Sequence, residues 1–158
     1  MHRVLVAIGL LAVLLTAART SYAQPADLAE GWACVIWTNG GDAVALEGVP
    51  APVRLTGIDV PGLPADTLLD WIIADAGCWV YVEPATPSWD EATQQYRAYL
   101  WLIDPEVGWW LVEEELVATG SARVSYRGYP EDAYAPILHA AEQHAQEHRL
   151  GIWASRAR

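Results

Sequence analysis

Between Trp32 and Asp59 the chain passes through three short strand-forming stretches divided by tight-turn residues, and this spacing most limits what it can fold into. "WACVIWT" (32–38) is rich in β-formers and runs into the turn sequence "NGGD". "AVALEG" forms a second strand that stops at Gly48, and "PVRLTGID" a third, in which alternation sets Arg54 on the face opposite Val53 and Leu55. At Pro64 the period changes. "PADTLLDWIIADAG" puts Leu68, Leu69, Ile72 and Ile73 at helical spacing, with Asp66 as candidate N-cap and Gly77 as the stop.

Further along, "CWVYVEP" predicts a fourth strand, "ATPSWDEATQQ" a polar loop and "YRAYLWLID" a fifth strand. "WWLVEEELVATG" predicts a short helix that Gly120 ends, "ARVSYRGYP" an extended piece, and "EDAYAPILHAAEQHAQEHR" a final helix before "LGIWAS". Five strands with a helix between the third and fourth is the order of a small Greek-key barrel. The pattern alone supports α+β with a small barrel.

The opening "MHRVLVAIGLLAVLLTAARTSYAQ" has a basic start, an apolar run from Val4 to Leu15, and small residues leading to Ala23. That is the layout of a secretory signal peptide, and the run is short for a bilayer span. Cleavage after Ala23 is expected, with an uncleaved anchor as the other reading. Residues 24–158 then form one domain, secreted or periplasmic. All nine basic residues are arginines; losing Arg3 and Arg19 leaves seven against twenty acids, hence a net charge of −13. A polyanion finds no long-range attraction on such a surface, so nucleic acid is a disfavoured partner. Cys34 and Cys78, an even count in an exported chain, predict a disulfide, with two buried thiols as the other reading.

Six short stretches, "GGDAV" (40–44), "RLTGIDVPG" (54–62), "YR" (96–97), "LVATGSA" (116–122), "AEQHA" (141–145) and "GIW" (151–153), together resemble the motifs of the staphylococcal nuclease (thermonuclease) family, in that family's order. The resemblance implies an α+β fold, a five-stranded OB-fold Greek-key barrel with three helices, in which the first and fourth strands are neighbours and so bring Cys34 to Cys78. It implies calcium-dependent phosphodiester hydrolysis of DNA or RNA, with Asp42 and Asp59 as carboxylate ligands of Ca2+, Arg54 and Arg97 as catalytic phosphate-binding arginines, and Tyr126 lining the nucleotide pocket. Hard cations suit carboxylate oxygens, and a guanidinium fork holds two phosphate oxygens while charge gathers in the transition state.

The departures from the family pattern are as informative. Its glutamate after Pro61, which activates the attacking water, is Gly62 here, and general-base help is worth about 10²- to 10⁴-fold. The first acid of its D-G-D turn is Gly40, the threonine after its second aspartate is Val60, and the glycine before its second arginine is Tyr96. Asp66 is better placed to cap a helix than to replace the glutamate. Two function classes follow: a weakened secreted nuclease, or a non-catalytic module that binds a ligand or a protein partner.

Bland readings stand beside each of these. Asp42 and Asp59 are ordinary turn residues, and Arg54 and Arg97 suit a structural ion-pair cluster. His144 and His148, four apart, fit a solvated helix face better than a metal clamp. Glu113 to Glu115 read as a solvated helix start favoured by the macrodipole. Trp32, Trp37, Trp71, Trp79, Trp101 and Trp153 are expected in the core, in a chain with no Phe, whereas Trp89, Trp109 and Trp110 lie in or beside loops and suit a partner-binding patch.

Overall fold

The computed structural model describes residues 26–38, 41–61, 73–74, 77–106, 108–126 and 133–154. The leader, Gly40, Gly62, Asp66, Trp71 and most of the expected first helix lie outside the described residues, although Ile73 and Ala74 are helical. The elements are β1 (Gly31–Thr38), β2 (Ala43–Leu46), β3 (Val53–Leu55), β4 (Ile58–Asp59), β5 (Trp79–Asp90), β6 (Gln95–Asp104), β7 (Gly108–Leu111), α1 (Val112–Ala118), β8 (Arg123–Val124) and α2 (Ala135–His148). A single 3₁₀ turn, Gly151–Trp153, follows.

The fold is mostly sheet with two described helices. Six strands run in the order β3-β2-β1-β5-β6-β7, and β3 also pairs with β6 in parallel, so the ladder turns back on itself. β7 extends beyond that seam, and β4 with β8 makes a separate two-stranded sheet. The sheet is therefore not a clean barrel. Its inner face carries Val44, Val53, Leu55, Val80, Val82, Leu100 and Leu102, with Leu116, Val117 and Leu138 from the helices joining the same core.

Several expectations change for identifiable reasons. The third strand breaks in two because Gly57 takes φ +81, a conformation that glycine adopts without a Cβ penalty. Its carbonyl accepts from the Ser125 N–H at 2.8 Å, and a Cβ there would lie 2.8 Å from Leu138 Cδ1 and 3.3 Å from Tyr126 Cε1. The expected polar loop at 85–95 is instead mostly strand. β5 continues to Asp90 through an irregularity in register between Pro84 and Trp89, which accommodates prolines that cannot donate to the ladder. Only a tight turn remains, where the Asp90 carboxylate accepts from the N–H groups of Ala92 and Thr93 at 2.9 and 3.3 Å.

Trp109, Trp110 and Leu111, expected to be helical, form β7, and the helix starts at Val112. Glu113 is not solvated. It is fully buried and receives the Leu100 N–H at 3.3 Å on each carboxyl oxygen. Trp32, Trp37 and Trp79, expected in the core, are about half exposed or more. Trp89 and Trp110 pack partly buried against the core, and only Trp109 of the loop set stands out from the surface.

The disulfide joins Cys34 to Cys78, with Cα atoms 5.0 Å apart. β1 runs antiparallel to β5 with Cys34 opposite Trp79, and the Val35 N–H donates to the Cys78 carbonyl at 2.8 Å.

Candidate functional site

β3 lies between β2 and β6, and its register decides what its one basic residue meets. Ala43 stands across from Arg54 on one side and Arg97 on the other, so the parallel pairing sets the two arginines side by side across 43 residues of chain. Both are buried, and with Leu55, Thr56, Gly57, Ile58, Ser125 and Tyr126 they line one narrow recess.

Each arginine is held. The bend before β2 presents Asp42, whose main-chain carbonyl accepts from the Leu55 N–H at 2.7 Å. Its Oδ2 takes both the Nε and a terminal nitrogen of Arg54, each at 2.9 Å, in a pair that is largely out of solvent. A terminal nitrogen of Arg97 donates to the Pro87 carbonyl at 3.1 Å. Charge-assisted bonds of this kind are strong and directional, so the guanidinium planes are fixed.

Asp59 is engaged elsewhere. β4 pairs with β8 so that Asp59 faces Arg123, and its Oδ2 receives Arg123 Nε at 3.0 Å and a terminal nitrogen at 2.6 Å. Arg123 is half-exposed and was not singled out from the sequence; only the strand pairing reveals it. Tyr126 lines the same recess as the two arginines. Tyr96 does not crowd it. Its hydroxyl donates to the Ala26 carbonyl at 2.8 Å and its ring meets Trp89 edge-on, on the opposite side of β6 from Arg97.

A calcium ion takes six to eight oxygens, chiefly carboxylates. Asp42 and Asp59 fit such a site poorly, because each carboxylate is already bound to an arginine. Among the described residues no three His, Cys, Asp or Glu side chains gather as a metal site. His144 and His148 are exposed with ring centroids 4.2 Å apart, and His148 Nδ1 is 2.9 Å from the His144 carbonyl, an acceptor. That nitrogen therefore carries the proton and serves the helix.

Residues 79–155 match the family model described as staphylococcal nuclease homologue. That match places residues 79–155 with the staphylococcal nuclease-like family. A curated relative, the probable endonuclease LCL3 of Colletotrichum graminicola, is 32% identical over 126 residues, which cover 72% of this chain and 44% of the relative. The chain thus spans less than half the length of that protein. The matched region of this nuclease-like chain holds Arg97, Arg123 and Tyr126, while Asp42, Arg54 and Asp59 precede it. No described helix is long and apolar enough to cross a membrane.

Proposed function

We propose that this chain is an exported nuclease-like module in which hydrolysis of DNA or RNA phosphodiesters is weakened or lost, and which keeps an arginine-lined recess on a five-stranded OB-fold barrel with three helices. Residues 1–23 serve as the leader and residues 24–158 as the single domain. The observation that carries this reading is the state of Asp42 and Asp59: each carboxylate that would hold calcium is committed to an arginine. Gly62 adds to it, since a glycine supplies no carboxylate to activate water. The disulfide suits an oxidising compartment. In this reading Arg54 and Arg97 are binding and structural groups rather than catalytic ones, and a ligand or protein partner replaces nucleic acid.

A second reading, a slow calcium-dependent nuclease, draws on the side-by-side placement of Arg54 and Arg97 with Tyr126 in one recess. The test is incubation of the purified mature chain with single-stranded DNA, with and without calcium, beside Arg97→Ala. No cleavage at high protein concentration is expected. Cleavage that requires both calcium and Arg97 would establish the second reading instead.

A further inference from the structure

Four aromatic residues of the sheet, two exposed and two partly buried, are organised. Trp32 on β1, Tyr81 on β5 and Trp101 on β6 stand directly across from one another in one row of the sheet. Trp109 on β7 leans onto that row. Its ring lies 5.5 Å from Trp32 at 32°, and Tyr81 meets both tryptophans at 79°, with centroids 5.7 and 5.5 Å away. Trp32 and Trp109 nevertheless remain 49% and 52% exposed. With Glu83 these four rings line an open recess of about 460 Å³.

Glu83 gives the recess its sign. Its oxygens accept from Trp101 Nε1 at 2.8 Å and from the Tyr134 hydroxyl at 2.9 and 2.8 Å. Both donors are neutral, and among the described residues no arginine or histidine pairs with this carboxylate. The Tyr81 hydroxyl donates to Glu30 at 2.6 Å, and that bond, with the Glu30 and Glu83 charges, raises the phenol pKa. The polar hydrogens of Trp101 and Tyr81 are therefore spent within the protein, while negative charge and electron-rich ring faces remain on offer.

Phosphate is repelled by such a surface, and a sugar or base would find few donors. A metal ion would find too few oxygens. A cation whose charge is spread over methyl groups satisfies both the rings and the carboxylate.

We propose that this recess binds an alkylated ammonium group, free as choline or carried on a trimethyllysine side chain, with the rings against its methyls and Glu83 near its charge. The chain's net charge of −11 adds a long-range attraction for cations. No part of this rests on the nuclease-like site.

The test is tryptophan fluorescence titration of the purified mature chain with choline, with a trimethyllysine peptide, and with 3,3-dimethyl-1-butanol as a neutral isostere, at matched ionic strength. Saturable change is expected with the cations, at a Kd on the order of 1 mM, and not with the alcohol. Choline alone or the peptide alone would identify the source; both binding equally would show that the head group suffices. Trp109→Ala should weaken binding about tenfold, and Glu83→Gln about three- to tenfold. Because Glu83 also supports Trp101 and Tyr134, wild-type indole N–H resonances give a second readout: Trp32, Trp101 and Trp109 should shift while Trp153 does not. Equal binding of the alcohol, or no saturable response to either cation, overturns the proposal.

Discussion

Replacing Glu113 by glutamine tests how the helix-to-sheet contact is held together. Glu113 lies in the first turn of α1 with no exposed surface, its carboxyl group against the Leu100 N–H of β6. Burial pushes its carboxyl well above the ordinary range, and the Glu83 charge adds to the rise. N–H groups of Glu113 itself, Leu100 and Thr56 pull the other way without offsetting it. In the unfolded chain the same group titrates near pH ~4.3. The native state thus keeps a proton that the unfolded state releases. Its contribution to stability is complete below about pH 4.3 and declines as pH rises toward the raised native value, at up to about 1.4 kcal/mol per pH unit. Glutamine has the same shape, offers an acceptor to the Leu100 N–H, and cannot ionise. Between pH 5 and 7 the stability difference should therefore move toward the variant by up to about 2.7 kcal/mol. Urea denaturation followed by tryptophan fluorescence at pH 5, 6 and 7 measures it. A difference that stays constant with pH, or one that moves against the variant as pH rises, would refute a buried, protonated Glu113.

Four further variants separate contacts of the site from those of the fold. Arg54→Ala takes a charge-assisted partner from the mostly buried Asp42 and should cost about 3 kcal/mol, whereas Arg123→Ala removes a half-exposed pair and should cost under about 1 kcal/mol; equal losses in urea denaturation would contradict the difference in burial. Removing both Cys34 and Cys78 frees a closure across 44 residues and should lower stability by about 2–4 kcal/mol, matched by reductant on the wild type; an unchanged midpoint would contradict the bond. Gly57→Ala forces a side chain into φ +81 and against Leu138 and Tyr126, at a cost of about 1–3 kcal/mol, visible as a lowered melting temperature; a neutral effect would show that the turn relaxes.

Much of this arrangement was legible in the chain itself. β-Forming stretches cut by turn residues between Trp32 and Asp59 marked the first strands, and family motifs brought Cys34 to Cys78. The side-by-side arginines were less so, because their meeting depends on parallel pairing between β3 and β6 rather than on anything near either residue. Arg123 escaped notice for the same reason, as its role comes from facing Asp59 across β4 and β8. Glu113 was misread because three consecutive acids resemble a solvated helix start. A signal was available, since Glu113 lies three and four residues before Leu116 and Val117 and so shares their buried stripe. The tryptophans were misassigned because alternation marks two faces of a strand without saying which is covered. β1 and β5 carry large apolar residues on both faces, and only the folded sheet shows that Trp32 and Trp79 face outward. The prolines at 84 and 87 suggested a loop, where the register irregularity instead carries β5 past them.

The central claim is that Asp42 and Asp59 hold arginines instead of a cation, and stability measured in calcium against chelator tests it directly. A ligand present at a hundredfold its Kd stabilises the native state by about 2.7 kcal/mol. Denaturation midpoints of the wild-type chain in millimolar calcium and in EDTA should coincide. A calcium-dependent rise of that size, abolished by Asp59→Asn, would show that the carboxylates release their arginines for the metal and would contradict the account.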